Sequence, residues 1–343
     1  MAGSARLAAP RTYAQAVALA DGRVLIEGGL DRDSDQVSKI ASEIFDPRSG
    51  TSRLVPAIEG GRLWQTLIPL PDGRIFSQGG VVRVGSEWSA VAVAALFDPA
   101  SGSYRRARSA AFPRSDHGAT VLRDGRVLVV GGHDGPKFVH QAEIYDPRTD
   151  RWTSAAGLAV GRTQFSMTTL LDGRVLIAGG FLQPGTPTDT SELYDPRRDE
   201  WSEGPRLSAK RALHATVGLP GGDLLLIGGQ EGAAGTAERY DAERGEFTFA
   251  GTLVVPRMAA AAAVLPDGSV ALAGGLPNPT DENGFFPTAR VERWDPRTNA
   301  WTAFGDLGTA RAGVEAVTAP GGVWLLGGST DDDHAVGSVE LLR

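Results

Sequence analysis

Residues 162–201 read RTQFSMTTLLDGRVLIAGGFLQPGTPTDTSELYDPRRDEW, and this stretch decides the fold. Arg162 opens it, the turn Asp172-Gly173 follows ten residues later, and Val175-Leu176-Ile177 runs into the pair Gly179-Gly180. Glu192 then leads into Leu193-Tyr194-Asp195-Pro196 and Trp201. Working outward, the arginine returns as Arg11, Arg62, Arg114, Arg211, Arg257 and Arg311, and the glycine pair begins again at Gly28, Gly79, Gly131, Gly228, Gly274 and Gly327. A period of about fifty residues kept along the chain makes the repeat the unit of folding and predicts a closed or stacked array.

Within a repeat the residue types are those of strands. Val24-Leu25-Ile26, Val127-Leu128-Val129-Val130 and Leu224-Leu225-Leu226-Ile227 are short, aliphatic or β-branched, and bounded by glycine, as buried strands are. Asp-Pro opens the next turn at Asp46, Asp98, Asp146, Asp195 and Asp295, because proline presets φ and aspartate bonds the backbone ahead of it. A further strand carries Leu54, Tyr104, Trp152, Trp201, Phe247 or Trp301. Four antiparallel strands per unit describe a propeller blade and predict an all-β fold.

The run of arginine, glycine pair, aromatic-Asp-Pro and tryptophan resembles the kelch repeat and covers essentially the whole chain, 1–343, as one domain. The resemblance implies a β-propeller whose first strand in each repeat lines the central axis. It also implies that ligands meet the face built by the loop after the glycine pair and the loop before the arginine. Seven repeats predict seven blades. The seventh stops at Arg343 before its fourth strand, and Ala2 to Ala9 fall in the register of that strand, so the N-terminal strand is expected to close the last blade. Closure leaves no long edge strand exposed.

Composition narrows the function. The chain has no cysteine, hence no disulfide, thiolate metal site or catalytic thiol. The copper-radical oxidases with kelch propellers resemble this fold, but their chemistry uses a tyrosine crosslinked to cysteine, which this chain cannot make. Net charge is −7, with Lys39, Lys137 and Lys210 the three lysines, which argues against nucleic acid as a partner. No 20-residue apolar span or signal peptide is visible, so no membrane partner is expected. The expectation is a cytoplasmic monomer, or a secreted one if an export signal precedes this numbering.

Because the repeats share architecture, function is sought where they differ. The arginines, placed where the innermost strands begin, are expected to ring the mouth of the channel, with Glu43, Glu143, Glu192, Glu238, Glu292 and Glu340 as structural ion-pair partners. After the arginine, repeats five and six are mostly small and apolar, whereas the first four carry Tyr13, Gln15, Trp64, Gln65, Asp116, His117, Gln164 and Phe165. Aromatic walls with convergent polar groups are what a small-molecule pocket needs. Asp116, His117 and Tyr13 are the candidates for acid–base catalysis. Gln15, Trp64, Gln65, Arg114, Arg162, Gln164, Phe165, His214 and Glu315 are the candidates for ligand contact. The plain structural alternatives are hydrogen-bonded histidines at 117 and 214 and channel-plugging rings at Trp64 and Phe165; Asp116 needs a partner, with Arg114 or Arg162 in reach.

Two loops are oxygen-rich, with Asp31, Asp33 and Asp35 after the first glycine pair and Asp331 and Asp333 after the last. They suit Ca²⁺ only loosely, since Gln36 stands where an EF-hand has glycine and Ser42 where it has glutamate. Otherwise no cofactor is expected. An insert from Pro277 to Phe286 is placed to overhang the mouth. Two readings stay open. One is binding of a small polar or anionic organic molecule, with conversion by cofactor-independent isomerase, lyase or cyclase chemistry; the other is a scaffold that docks an acidic peptide or protein on the same face.

Overall fold

Each glycine pair sits where neighbouring blades touch, and that contact explains both glycines. In the computed structural model, which describes residues 5–30, 42–56, 61–277, 286–330 and 334–343, the second glycine donates its N–H to the peptide carbonyl of the next blade's arginine. The bond recurs from Gly29 to Arg62, Gly80 to Arg114, Gly132 to Arg162, Gly180 to Arg211, Gly229 to Arg257 and Gly275 to Arg311, at 2.8–3.1 Å, and Gly328 to Arg11 at 3.1 Å closes the circle. A Cβ at Gly131 would stand 2.7 Å from the Arg162 carbonyl oxygen, and its φ of 70° already favours glycine.

The described residues form seven blades: six four-stranded antiparallel sheets and one of three strands. Blade III shows the plan: Gly118–Val121 innermost, Val127–Val130, Ala142–Asp146, then Arg151–Ala155 outermost. Blade VII has Glu315–Ala319, Gly322–Leu326 and Glu340–Leu342. Its outer edge is taken by the N-terminus: Arg6 bridges Ser338, Leu7 N–H donates to Gly337 O at 2.8 Å and Val339 N–H to Ala5 O at 2.9 Å. The N-terminal segment thus closes the ring as expected, through a short bridge.

The second strands are buried throughout, VLIE in blade I and VLVV in blade III, since each lies between two neighbouring blades. Apolar packing is accordingly divided into slabs between blades. One joins Val24, Ile26 and Phe45 of blade I to Val317, Trp324 and Leu326 of blade VII, with Phe45 and Trp324 edge to face at 5.1 Å. Burial at the junction of first and last blades is what makes a ring cheaper than an open stack.

The seven arginines do not ring the mouth. Each innermost strand begins four residues after its arginine, and the arginine side chain turns into the blade, where all seven are buried. One guanidinium nitrogen donates to the carbonyl of the first glycine of its own pair, at 2.9–3.2 Å. The other meets a glutamate: Arg11–Glu43, Arg114–Glu143, Arg162–Glu192, Arg211–Glu238, Arg257–Glu292 and Arg311–Glu340. Blade II has Ala95 in the glutamate register, and Arg62 is served instead by Glu27 of blade I at 2.7 Å. Ser77 and Tyr104 also bond to Glu27, at 2.5 and 2.8 Å.

The calcium expectation at Asp31, Asp33, Asp35, Asp331 and Asp333 lies outside the described residues, as do 278–285 of the repeat-six insert.

Removing one partner of such a pair strands a buried charge. Arg211→Ala, which leaves Glu238 unpaired, is expected to cost about 3–5 kcal/mol, read as a fall in the urea midpoint. Arg148→Ala, which breaks an exposed pair with Asp146, should stay within about 1 kcal/mol.

Candidate functional site

Two residues past each arginine the chain enters left-handed backbone. Tyr13, Trp64, Asp116, Gln164, Leu213 and Ala259 have φ between 50° and 58°, and Gly313 completes the set at 60°. None is β-branched, the type least able to adopt this region. The kink lets the chain leave the edge of its blade and enter the innermost strand. It is held by backbone hydrogen bonds between neighbouring blades: Asp116 N–H to Trp64 O, Gln164 N–H to Asp116 O, Ala259 N–H to Leu213 O and Gly313 N–H to Ala259 O, at 2.9–3.3 Å.

Inside this collar lies a cavity of about 440 Å³. Its wall includes Gln15, Trp64, Gln65, Asp116, His117, Gln164, Phe165, His214 and Glu315, nine of the residues singled out in the sequence. Tyr13 stands behind, its ring edge-on to Trp64 at 6.0 Å, and both pack on Leu30, Leu63 and Val81. Arg114 and Arg162 are not in the wall; they lie within blades III and IV on Glu143 and Glu192. No arginine or lysine lines the cavity among the described residues. A larger depression of about 640 Å³ runs along the outer strands of blades III and IV, but its Arg162 is tied to Glu192 and its Trp201 indole to Ala156 O, so it is a seam between blades.

Asp116 finds its partner in His133, which the sequence does not place in the channel site. His133 follows the glycine pair of blade III and opens the short ribbon His133–Asp134 with Lys137–Phe138. Its Nε2–H donates to Asp116 Oδ2 at 3.1 Å, with Ser115 Oγ also at 3.1 Å, and its Nδ1–H donates to Gly135 O at 3.0 Å. With an acceptor at each nitrogen the doubly protonated ring is the satisfied form, and the hydrogen bond to Asp116 raises the His133 pKa above its ordinary value. Gln164 Nε2 reaches the other Asp116 oxygen at 3.4 Å.

The remaining titratable groups are held neutral. Burial, with the charges of Arg114 and Arg62, pushes His117 well below its usual range, and its Nε2 shares a hydrogen bond with Thr66 Oγ1 at 3.1 Å. Burial drives His214 down to about 3, and neither of its ring nitrogens has a partner among the described residues. Glu315, partly open to the cavity yet deep in the channel, is pushed up to about 8 by burial. Gln65 is fixed by its amide donating to Glu27 O at 2.9 Å.

The kelch motif matches residues 113–159 and 164–208, which are blades III and IV, and the same arginine, glycine-pair and glutamate geometry recurs around the ring. The chain carries the kelch motif in two blades of a seven-bladed β-propeller. No curated protein sequence matches it. Among solved structures this kelch propeller is similar to a fungal alcohol oxidase of the AA5 family in complex with copper, at 17% identity over 96% of this chain and 73% of that one, TM-score 0.75. It is also similar to the protein YjhT, at 16% identity over 97% and 95%, TM-score 0.61. Likeness at this identity speaks for the fold alone. A copper centre does not fit here: the propeller has no cysteine, and among the described residues no three His, Asp or Glu side chains gather as ligands.

Two titrations check the electrostatics of this kelch propeller's channel. Asp116→Asn should lower the His133 pKa to its ordinary value or below, followed by the ring resonances in NMR. Because the folded pKa of His133 is raised, its titration contributes stability that is present just below histidine's ordinary pKa and fades as pH rises through the raised value. Glu315 also has a raised folded pKa, so the wild type should lose stability relative to Glu315→Gln as pH climbs from 4.5 toward 8, seen as diverging melting temperatures.

Proposed function

We propose that the protein binds a small polar organic molecule at the mouth of the central channel and converts it by proton transfer without a bound cofactor, as isomerases, lyases and cyclases do. The observation that carries this reading is Asp116 on the wall of an aromatic-sided cavity, with His133 bonded behind it. A carboxylate with a cation fixed behind it is a base whose charge is balanced before substrate arrives. It can take a proton from a C–H or O–H of the bound molecule and return it to the same or an adjacent atom. His133, touching Asp116 from outside the cavity wall, acts as a positioning residue. Trp64 and Phe165 offer apolar surface, and the amides of Gln15 and Gln164 offer orienting hydrogen bonds. With the arginines committed inside the blades, the polar ligand is favoured over the anionic one.

Docking of a protein keeps one supporting observation. The hairpin Val81–Val84 with Glu87–Ala90, whose base packs beside Tyr13 and Trp64, exposes Val84 (63%) and Trp88 (40%).

The test is incubation of the protein with a small-molecule extract of its source cells, followed by mass spectrometry. The expected result is one compound retained by the protein and transformed, with turnover about 10²–10⁴ lower in Asp116→Asn and retention preserved. Equal conversion by both proteins, or no compound retained by either, overturns the proposal.

A further inference from the structure

Among the described residues, Glu315 is the one wall carboxyl with no counter-charge. Its strand Glu315–Ala319 packs against Gln15–Ala18, Ala261–Val264 and Gly322–Leu326, whose sequences QAVA, AAAV and GVWLL contain no ionisable side chain. What touches Glu315 are donors: the Gln15 amide reaches Oε1 at 3.3 Å, and the Ala16 N–H also bonds to the carboxyl. Donors directed at a carboxyl favour its ionised form. The position is thus furnished for an anion but lacks the positive charge that an anion in a channel requires.

We infer that the channel cavity takes an organic cation, a small alkylammonium whose charge is met by Glu315 and whose alkyl groups lie against Trp64 and Phe165. The inference rests on the reading of the channel as a small-molecule site and names the chemical class of its ligand. Three further features agree. The cavity wall includes no arginine or lysine, and the nearby cation His133 is already matched by Asp116. Aromatic faces attract ammonium groups, more so when desolvated. A net charge of −7 draws cations toward the molecule. A metal ion is the poorer occupant, since the wall brings no third acidic or imidazole ligand beside Glu315 among the described residues.

Binding must then be coupled to a proton. Glu315 is largely protonated at neutral pH and must ionise to pair with the ligand, so each cation bound near pH 7 releases close to one proton. Affinity should rise about tenfold per pH unit below the Glu315 pKa and level off above it. The paired probes are choline, whose charge does not change with pH, and 3,3-dimethylbutan-1-ol, its neutral isostere. Calorimetry in two buffers of different ionisation enthalpy reads both affinity and proton release.

The expected result is choline binding at least about tenfold tighter than the alcohol, with release of a proton that Glu315→Gln abolishes. A carboxamide matches the protonated acid in shape and charge, so Glu315→Gln should fold, and proton release by the unaltered protein is a readout that needs no variant. Equal binding of the two probes, or choline binding without proton release, overturns the cationic ligand while leaving a small-molecule cavity in place. Binding of neither probe at millimolar concentration overturns it as well, and the extract experiment with Asp116→Asn then decides the broader reading separately.

Discussion

The structure depends on one buried contact, repeated around the ring: an arginine whose guanidinium bonds a glycine carbonyl and a glutamate within its blade while its peptide carbonyl accepts from the glycine of the preceding blade. The contact ties three segments of one repeat to the edge of the next. It needs the glycine pair, because a Cβ on the first glycine would meet the incoming carbonyl and a Cβ on the second, which donates the bond, would meet a carbonyl of its own blade. It also needs a charge partner, because an unpaired guanidinium in that position would bear the full cost of desolvation. Blade II demonstrates the second requirement, since with Ala95 in place of the acid the fold recruits Glu27 from the neighbouring blade.

This commitment determines where chemistry can occur. With the arginines fully bonded, the channel mouth is left to the residues two to four places later, where the left-handed kink brings the chain to the axis. Blades V, VI and VII present Leu213, Ala259 and Gly313 at the kink, and blades I to IV present Tyr13, Trp64, Asp116 and Gln164. At the kink itself one side of the collar is therefore apolar and the other aromatic or polar, while Glu315 lies two residues beyond the kink of blade VII. The backbone strain, of order 1 kcal/mol or more at each non-glycine kink, is held by the backbone hydrogen bonds that link one kink to the next.

The repeat was legible because glycine pairs, Asp-Pro turns and the arginine–glutamate spacing are local requirements, written at fixed offsets in copy after copy. The cavity wall was legible for the complementary reason: Trp64, Asp116 and Gln164 depart from the apolar or bare positions that blades V to VII have in the same register, Leu213, Ala259 and Gly313. The direction of the arginines was not, since spacing alone does not reveal that the chain kinks after them and that the strand starts four residues later. The pairing of His133 with Asp116 was not legible, because His133 belongs to another register. A signal was present: the residues directly after the seven glycine pairs are Leu30, Val81, His133, Phe181, Gln230, Leu276 and Ser329, and His133 is the one ionisable side chain among them.

The two carboxyl groups of the wall show how an array of near-identical units becomes a specific site. Asp116 and Glu315 lie three blades apart, on opposite sides of the channel, and the ring gives them different surroundings. Asp116 stands beside a loop that supplies an imidazole; Glu315 stands among alanine, valine and a single amide. A symmetrical propeller would give equivalent groups equal environments and hence no division of labour. Here one carboxyl is balanced within the protein and the other has no counter-charge, so the asymmetry of the ring is carried by a few residues beside a repeated frame.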